Sequence, residues 1–324
     1  MPLSKIQTAE MLDTPNLGRR NILINGAFQY WQRGTSFSAN GYGSDRWKLY
    51  APGGHAYARS TDTPDSPNNF EFSASVGGSG DATGLTQFVE SKNAKHIPSS
   101  GTTKVILSFY LKHTTNSGTA KITSVVGTMD SADNSGASTN RSTQNHNTTT
   151  SWARYTHEMT GADLTAAVTN GLVVTIKHNG SGTTAFLLTG CQLEISDSVT
   201  SFEHRSYGEE LALCQRYYID TRSGGSSYGG CSMTRSVYAN KAYGFTAFPV
   251  EMRVKPAITF YDGSGNAGAL TEDGAGHNRA CTAAFHSKHG INGAESTGGG
   301  TGHFSSSAGA GYHIQGTYTA NAEL

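Results

Sequence analysis

The residues whose type and spacing could do chemistry are few. His286 and His289 stand three apart, with His277 and Cys281 just upstream. On a helix, histidines at that spacing can share a metal ion. The surrounding sequence reads instead as strand and loop, where the spacing puts the two rings on opposite faces. A metal site within one chain is therefore not expected. Histidines contributed by several copies could still gather at a symmetry axis, and His286, His289, His303 and His313 are candidates in that sense. Asp130 and Asp133 in MDSADNSG, and Asp262 in DGSGN, offer oxygen ligands on turns of the kind calcium takes. Such turns usually close on their own backbone. No cofactor is expected, and calcium is the one ion these turns would suit. The patterns HExxH, GxSxG and GxxxxGK[ST] are all missing. A glycosidase needs two carboxylates about 5–10 Å apart. The acidic residues here are scattered along the chain. A catalytic role is not expected, and a polysaccharide depolymerase stands as an alternative.

A second set pairs aromatic anchors with charge. Trp31 and Trp47 lie near Arg33, Asp45 and Arg46, while Phe202 precedes Glu203, His204 and Arg205. The tryptophans are expected to pack, since each could bury ~150–250 Å². The other reading is that one stacks on a sugar. Isolated buried charge is costly, so a partly buried carboxylate–arginine pair is expected among these residues. Asp45 with Arg46 or Arg205 is the pairing favoured, with Phe202 and Arg205 as structural neighbours. Tyr (15) and Phe (13) outnumber Trp (3). Exposed tyrosine combines stacking with hydrogen bonding. Tyr228, Tyr238 and Tyr243 in the Gly-rich C-terminal half are the candidate ligand contacts; each could equally serve a core or a subunit interface.

These residues need elements to hold them. The chain has 324 residues, about two domains' worth. Apolar residues make up 35% and charged residues 15%, with Gly at 40 residues. That mixture favours turns and strands over helices. Lys+Arg and Asp+Glu are equal at 24 each, with no basic run, so a nucleic-acid partner is not expected. No stretch of apolar residues is long enough to span a membrane as a helix. The N-terminus lacks an apolar signal region, so ordinary secretion is not expected. The irregularly spaced Cys191, Cys214, Cys231 and Cys281 read as reduced, buried thiols.

Alternation of apolar and polar residues is clearest at Val105, Leu107, Phe109 and Leu111, and again at Leu172, Val174 and Ile176. Phe70, Phe72 and Ala74 alternate similarly. Shorter strands are expected at 22–32, 46–50, 85–90, 119–126, 152–159 and 185–194. Many short strands without helices between them predict an all-β sandwich or jelly roll over 21–205. The Thr/Ser/Asn-rich run at 131–151 reads as a long loop or loosely held strand pair; its sequons at Asn140 and Asn147 read as chance matches. Residues 1–20 read as an N-terminal arm or tail. At 206–218, Ser206 and Glu209 have capping-box spacing, and Leu211, Cys214 and Tyr218 share a face, which predicts a helical junction. A smaller Gly-rich β domain is expected over 219–324, with strands near 216–222, 235–248, 256–261, 281–286 and 312–319. Its sparse apolar set suggests burial against a partner chain.

Three segments together resemble a known family. They are NILINGAFQYWQRGTSF at 21–37 with GYGSDRW at 41–47, SVTSFEHRSYGEELALCQRYY at 198–218, and FPVEMRVKPAI at 248–258 with the chain end from Tyr318 to Leu324. The combination resembles bacteriophage tail fibre and virion structural proteins. The first segment also resembles the opening of jelly-roll carbohydrate-binding modules. The resemblance implies a jelly roll, a C-terminal β domain, a homotrimer and a place on the virion after assembly in the host cytoplasm. It implies other virion proteins as partners and a host-surface glycan or protein as the attachment target. A capsid decoration or baseplate piece without receptor binding is the alternative within the same family.

Overall fold

The computed structural model describes residues 19–65, 69–80, 82–98, 103–115, 117–180, 182–222, 229–235, 240–272, 277–297, 304 and 313–324. The expected arm at 1–20 thus lies almost wholly outside the described residues, as do Tyr228, Tyr238 and His303. The chain divides into a first unit that runs to Arg205 and includes Leu324, and a second running Ser206–Glu323.

The first unit carries β1 (Ser36–Phe37), β2 (Gly41–Tyr42), β3 (Lys48–Tyr50), β4 (Gly53–Ser60), β5 (Ser73–Ser79) and β6 (Gly84–Val89). It continues with β7 (Lys104–Thr115), β8 (Gly118–Met129), β9 (Ser138–Thr148), β10 (Ala153–Thr160), β11 (Leu172–His178) and β12 (Thr183–Ile195). One sheet has the order β1-β4-β5-β12-β7-β10 and the other β2-β3-β6-β11-β8-β9. The strands from β5 onward pair first with last: β5 with β12, β6 with β11, β7 with β10 and β8 with β9, all antiparallel. A ribbon of four such pairs rolled across two sheets is a jelly roll. Its core is the inward parity of these strands. Val105, Leu107, Phe109 and Leu111 of β7 and Leu172, Val174 and Ile176 of β11 are all buried, as the alternation predicts. Each contributes roughly 1.5–3 kcal/mol of hydrophobic stabilisation.

One expectation is corrected here, and one reading left open is decided. Residues 22–32 form no strand. Their apolar side chains are buried, but the backbone turns sharply, with positive φ at Asn25 (56°) and Phe28 (53°). Side chains satisfy its amides: Leu23 donates to Asn21 Oδ1 at 3.0 Å and Ile24 to Gln87 Oε1 at 2.8 Å. The polar run at 131–151 contains a full strand, β9. It is an edge strand, and side chains tie it to β10: Gln144 Nε2 donates to the Thr156 carbonyl at 2.9 Å, and Ser142 Oγ lies 2.8 Å from His157 Nε2. Gly26 shows how tightly the 22–32 turn sits. A Cβ there would lie 2.1 Å from the Cys191 carbonyl oxygen. Gly26→Ala is therefore expected to lower stability by about 1–3 kcal/mol, as an overpacked site does, which a urea titration against wild type would measure.

The second unit opens with the helix Tyr207–Gln215, capped by Ser206 Oγ, which accepts from the Glu209 amide at 3.4 Å. Its buried positions are Glu210 and Cys214, with Tyr217 following; Leu211 is only half-buried. Of the expected Leu211–Cys214–Tyr218 face, Cys214 and Tyr218 are buried, and Tyr218 already begins the next strand. Eight strands follow: β13 (Tyr218–Asp220), β14 (Cys231–Arg235), β15 (Lys241–Ala247), β16 (Ala257–Tyr261), β17 (Ala269–Glu272), β18 (His277–His286), β19 (Gly290–Ser296) and β20 (His313–Asn321). The order β20-β14-β15-β19-β18-β17 returns to β20, where Gln315 pairs with Ser232 on one side and Thr271 on the other. Six antiparallel strands therefore close into a small barrel, with β13 and β16 on the far half of β20. Closure removes the open edges of a sheet. It also gathers the sparse apolar residues, among them Met233, Phe260, Leu270, Ile291, Phe304 and Ile314, into one core. The cysteines of both units are buried.

Candidate functional site

The outer wall of the barrel carries an aromatic ridge. Along β15, Ala242 faces the core while Lys241, Tyr243 and Phe245 point away from it. Tyr243 pairs across the ladder with Gly293 of β19, which pairs on its other side with Phe285 of β18. Gly293 has no side chain to fill the space between the rings. A Cβ there would meet Phe285 Cδ2 at 3.2 Å and Tyr243 Cδ1 at 3.4 Å. Both rings lean over the glycine and stack, with centroids 5.5 Å apart and planes 20° apart. Phe245 covers Gly290 in the same way, its Cε2 2.9 Å from where a Cβ would lie. The three rings stay open to solvent, at 41% for Tyr243, 40% for Phe285 and 68% for Phe245.

The ridge has a charged margin. Lys241 Nζ sits 5.5 Å from the Phe285 ring centroid, a cation–π contact. Glu295 is the register partner of Lys241 and accepts from Asn240 Nδ2 at 2.9 Å. Apolar ring surface bordered by an ammonium and a carboxylate can stack on the C–H face of a sugar or seat an apolar side chain, while the margin takes hydroxyl or charged groups. Exposed aromatic rings gathered on one strand and its neighbours mark interaction surfaces. Tyr243 was visible in the sequence as a candidate; Lys241, Phe245 and Phe285 were not. The alternation Lys241–Tyr243–Phe245 was available as a signal, but the partner Phe285 is brought in only by the β19 ladder.

The other candidates lie elsewhere. Trp31 and Trp47 are buried, and each indole N–H bonds within its own loop: Trp31 to the Phe28 carbonyl at 2.6 Å, Trp47 to the Asn25 carbonyl at 3.0 Å. Asp45 accepts from Arg33 at 3.3 Å and from Gln32 Nε2 at 3.1 Å. Arg46 donates to the Phe88 carbonyl. Arg205 donates to the Leu23 carbonyl at 3.0 Å and to the Asn21 carbonyl, and lies 3.7 Å from Glu203. Partly buried carboxylate–arginine pairs therefore occur at Arg33–Asp45 and Arg205–Glu203, while Arg46 and Arg205 also donate to backbone carbonyls. Phe202 packs edge-on against Phe70, centroids 5.1 Å apart.

The turn carboxylates are already used. Asp133 accepts from the Ser91 amide at 2.6 Å, Asp130 from Thr139 Oγ1 at 2.7 Å, and Asp262 from the Ser264 and Asn266 amides at 2.9 Å each. His286 Nε2 bonds the Pro256 carbonyl at 2.9 Å, whereas His289 and His313 are exposed. His277 and Cys281 lie on β18 with His286, and Cys281 is buried in the barrel core. Among the described residues, no group of three or more His, Cys, Asp or Glu side chains could hold a metal ion. None of their helices is long and apolar enough to cross a membrane.

No protein-family model matches the sequence, and no curated protein matches it. Solved structures do. The enzymatically active domain of bacteriophage CBA120 tailspike protein 4 aligns at 14% identity and a TM-score of 0.35 over 54% of this chain and 21% of that one. The CBM22-1 xylan-binding domain from Paenibacillus barcinonensis Xyn10C aligns at 15% identity and a TM-score of 0.33 over 51% of this chain and 94% of that one. The CBM22-1–GH10 modules of Clostridium thermocellum xylanase 10B, complexed with xylohexaose, align at 14% identity and a TM-score of 0.32, over 51% and 28% of the two chains. This chain therefore spans about a fifth of the tailspike structure it matches. Similarity at this level assigns no ligand and no reaction to the chain.

Proposed function

We propose that the chain is a subunit of a bacteriophage tail fibre or spike that attaches to a host-surface glycan or protein without catalysing a reaction. The observation that carries this reading is the solvent-exposed ridge of Tyr243, Phe285 and Phe245 on a closed barrel. Leaving three aromatic rings in water has a free-energy cost that a contact surface recovers on binding. The barrel wall holds the rings in place beforehand, so little ordering entropy is lost when a ligand arrives. The sequence segments at 21–47, 198–218 and 248–258 add the resemblance to virion proteins. Assembly as a homotrimer and contact with other virion proteins belong to the same proposal.

The absence of catalysis is part of it. Asp62, Asp220, Glu251 and Glu272 each pair with a lysine or arginine, whereas glycoside cleavage needs two carboxylates converging on one bond. The test is competition: purified full-length protein, added to susceptible host cells before the phage, should block adsorption at saturation. A protein that neither binds those cells nor slows adsorption removes the attachment role.

A further inference from the structure

One layer of the jelly-roll core is polar. Parity fixes it: Leu111 and Phe186 face inward, so His113, two residues beyond Leu111, and Thr184, two residues before Phe186, face inward too. His178 follows inward-facing Ile176 on β11, and Thr148 follows buried His146 on β9. All four are buried. Register brings them to one end of the sandwich. His113 is the ladder partner of Phe186, and its backbone amide donates to the Thr149 carbonyl at 2.9 Å. The His178 ring centroid lies 6.3 Å from that of His113.

Among the described residues, neither ring nitrogen of His113 has a hydrogen-bond partner, and neither do the hydroxyls of Thr148 and Thr184. A buried polar group without a partner forfeits its hydration and gains nothing in return, and native interiors seldom leave one so. Here four such atoms come from three neighbouring strands. The occupant that would satisfy them must suit neutral groups. Burial, then the adjacent His178, then the Lys121 ammonium push the His113 pKa down to about 4. A neutral imidazole offers one N–H and one lone pair, and each hydroxyl offers both functions. A metal dication would bring two positive charges with no carboxylate or thiolate among these residues to offset them.

We propose that His113, Thr148 and Thr184 form a built site for ordered water at one end of the jelly roll, with the His178 ring as its wall. The water bridges β7, β9 and β12, so it links the two sheets where apolar contacts stop.

Two measurements test this. A crystal structure of the full chain at about 1.5 Å resolution or better should show discrete peaks 2.7–3.2 Å from a His113 ring nitrogen and from at least one threonine hydroxyl. Direct side-chain pairing in place of those peaks overturns the proposal. So does an anomalous peak there after a zinc or bromide soak, which would make the occupant an ion. Independently, Thr184→Val removes a hydroxyl at nearly constant volume. If the hydroxyl binds water, Tm should fall by roughly 2–4 °C. If the chamber is dry, valine relieves an unsatisfied group and Tm holds or rises, which overturns the proposal.

Discussion

Lowering the pH from 7 to 4 is expected to strip most of the stability from the jelly roll. Three buried histidines drive the effect. His146 of β9 and His157 of β10 share the Ser124 hydroxyl, at 2.8 Å from His146 Nε2 and 2.9 Å from His157 Nδ1. His157 also reaches Ser142 through Nε2 at 2.8 Å. This network joins β8 and β9 of one sheet to β10 of the other. Burial pushes both pKa values down to about 4, with the neighbouring His157 adding to the effect on His146. His113 is lowered equally. In the unfolded chain the same rings titrate near 6.5. The folded-state pKa lies below the unfolded one, so the stabilisation is complete above about 6.5 and is lost as the pH falls towards 4. Each ring contributes on the order of 3 kcal/mol across that window. Together they approach the ~5–15 kcal/mol by which a typical domain is stable. Urea titrations at intervals from pH 7.5 to 4 should show the midpoint falling steadily through this range. His157→Gln should flatten the profile. A midpoint constant between pH 6.5 and 4 would contradict neutral buried rings.

Trp47→Ala is expected to cost about 3–5 kcal/mol, the range for emptying a large aromatic site. Trp47 has no solvent exposure, and its ring lies 5.2 Å from that of Phe28. Its indole N–H holds the Asn25 carbonyl, and Asn25 is the hub of the loop that precedes it. The Asn25 Nδ2 group donates to the Tyr30 carbonyl at 2.9 Å and to the Asp45 carbonyl at 3.0 Å, while its Oδ1 accepts from the Tyr30 amide. Removing the indole leaves a cavity and takes one donor from the Asn25 carbonyl, which keeps the Phe28 amide at 3.1 Å. Trp47→Phe keeps most of the volume and should cost less than half as much. Differential scanning calorimetry distinguishes the two. A loss below about 1 kcal/mol for Trp47→Ala would mean that residues 21–47 do not act as one packed element.

How much of this was legible depended on which side chains carry the signal. Strands β7 and β11 put large apolar residues on successive inward positions, Val105 to Leu111 and Leu172 to Ile176, so their period of two is plain in the sequence. Strand β9 hides the same period, because its inward positions are His146 and Thr148 in a run of Ser, Thr and Asn. Residues 22–32 mislead in the other direction: their apolar residues are buried, but Asn25 and Phe28 adopt left-handed turns that no alternation reveals. Strands β14, β17 and β19 are short or Gly-rich, and ring closure depends on Gln315 pairing on both sides, a non-local fact. The Arg33–Asp45 pair lay within the charged set singled out, but spacing alone did not say that Arg33 would meet Asp45. Of the ridge, Tyr243 stood out as an aromatic among glycines, while its stacking with Phe285 depends on two ladders and the empty space over Gly293.

The ridge is the centre of the functional account, and one titration addresses it. Purified wild-type protein and the Tyr243→Ala/Phe285→Ala variant are titrated onto susceptible host cells, with matching circular dichroism and melting curves as the check on folding. The account predicts at least a ~100-fold loss of affinity in the variant, the size expected when two aromatic contact residues are truncated. Undiminished binding by a correctly folded variant would contradict it.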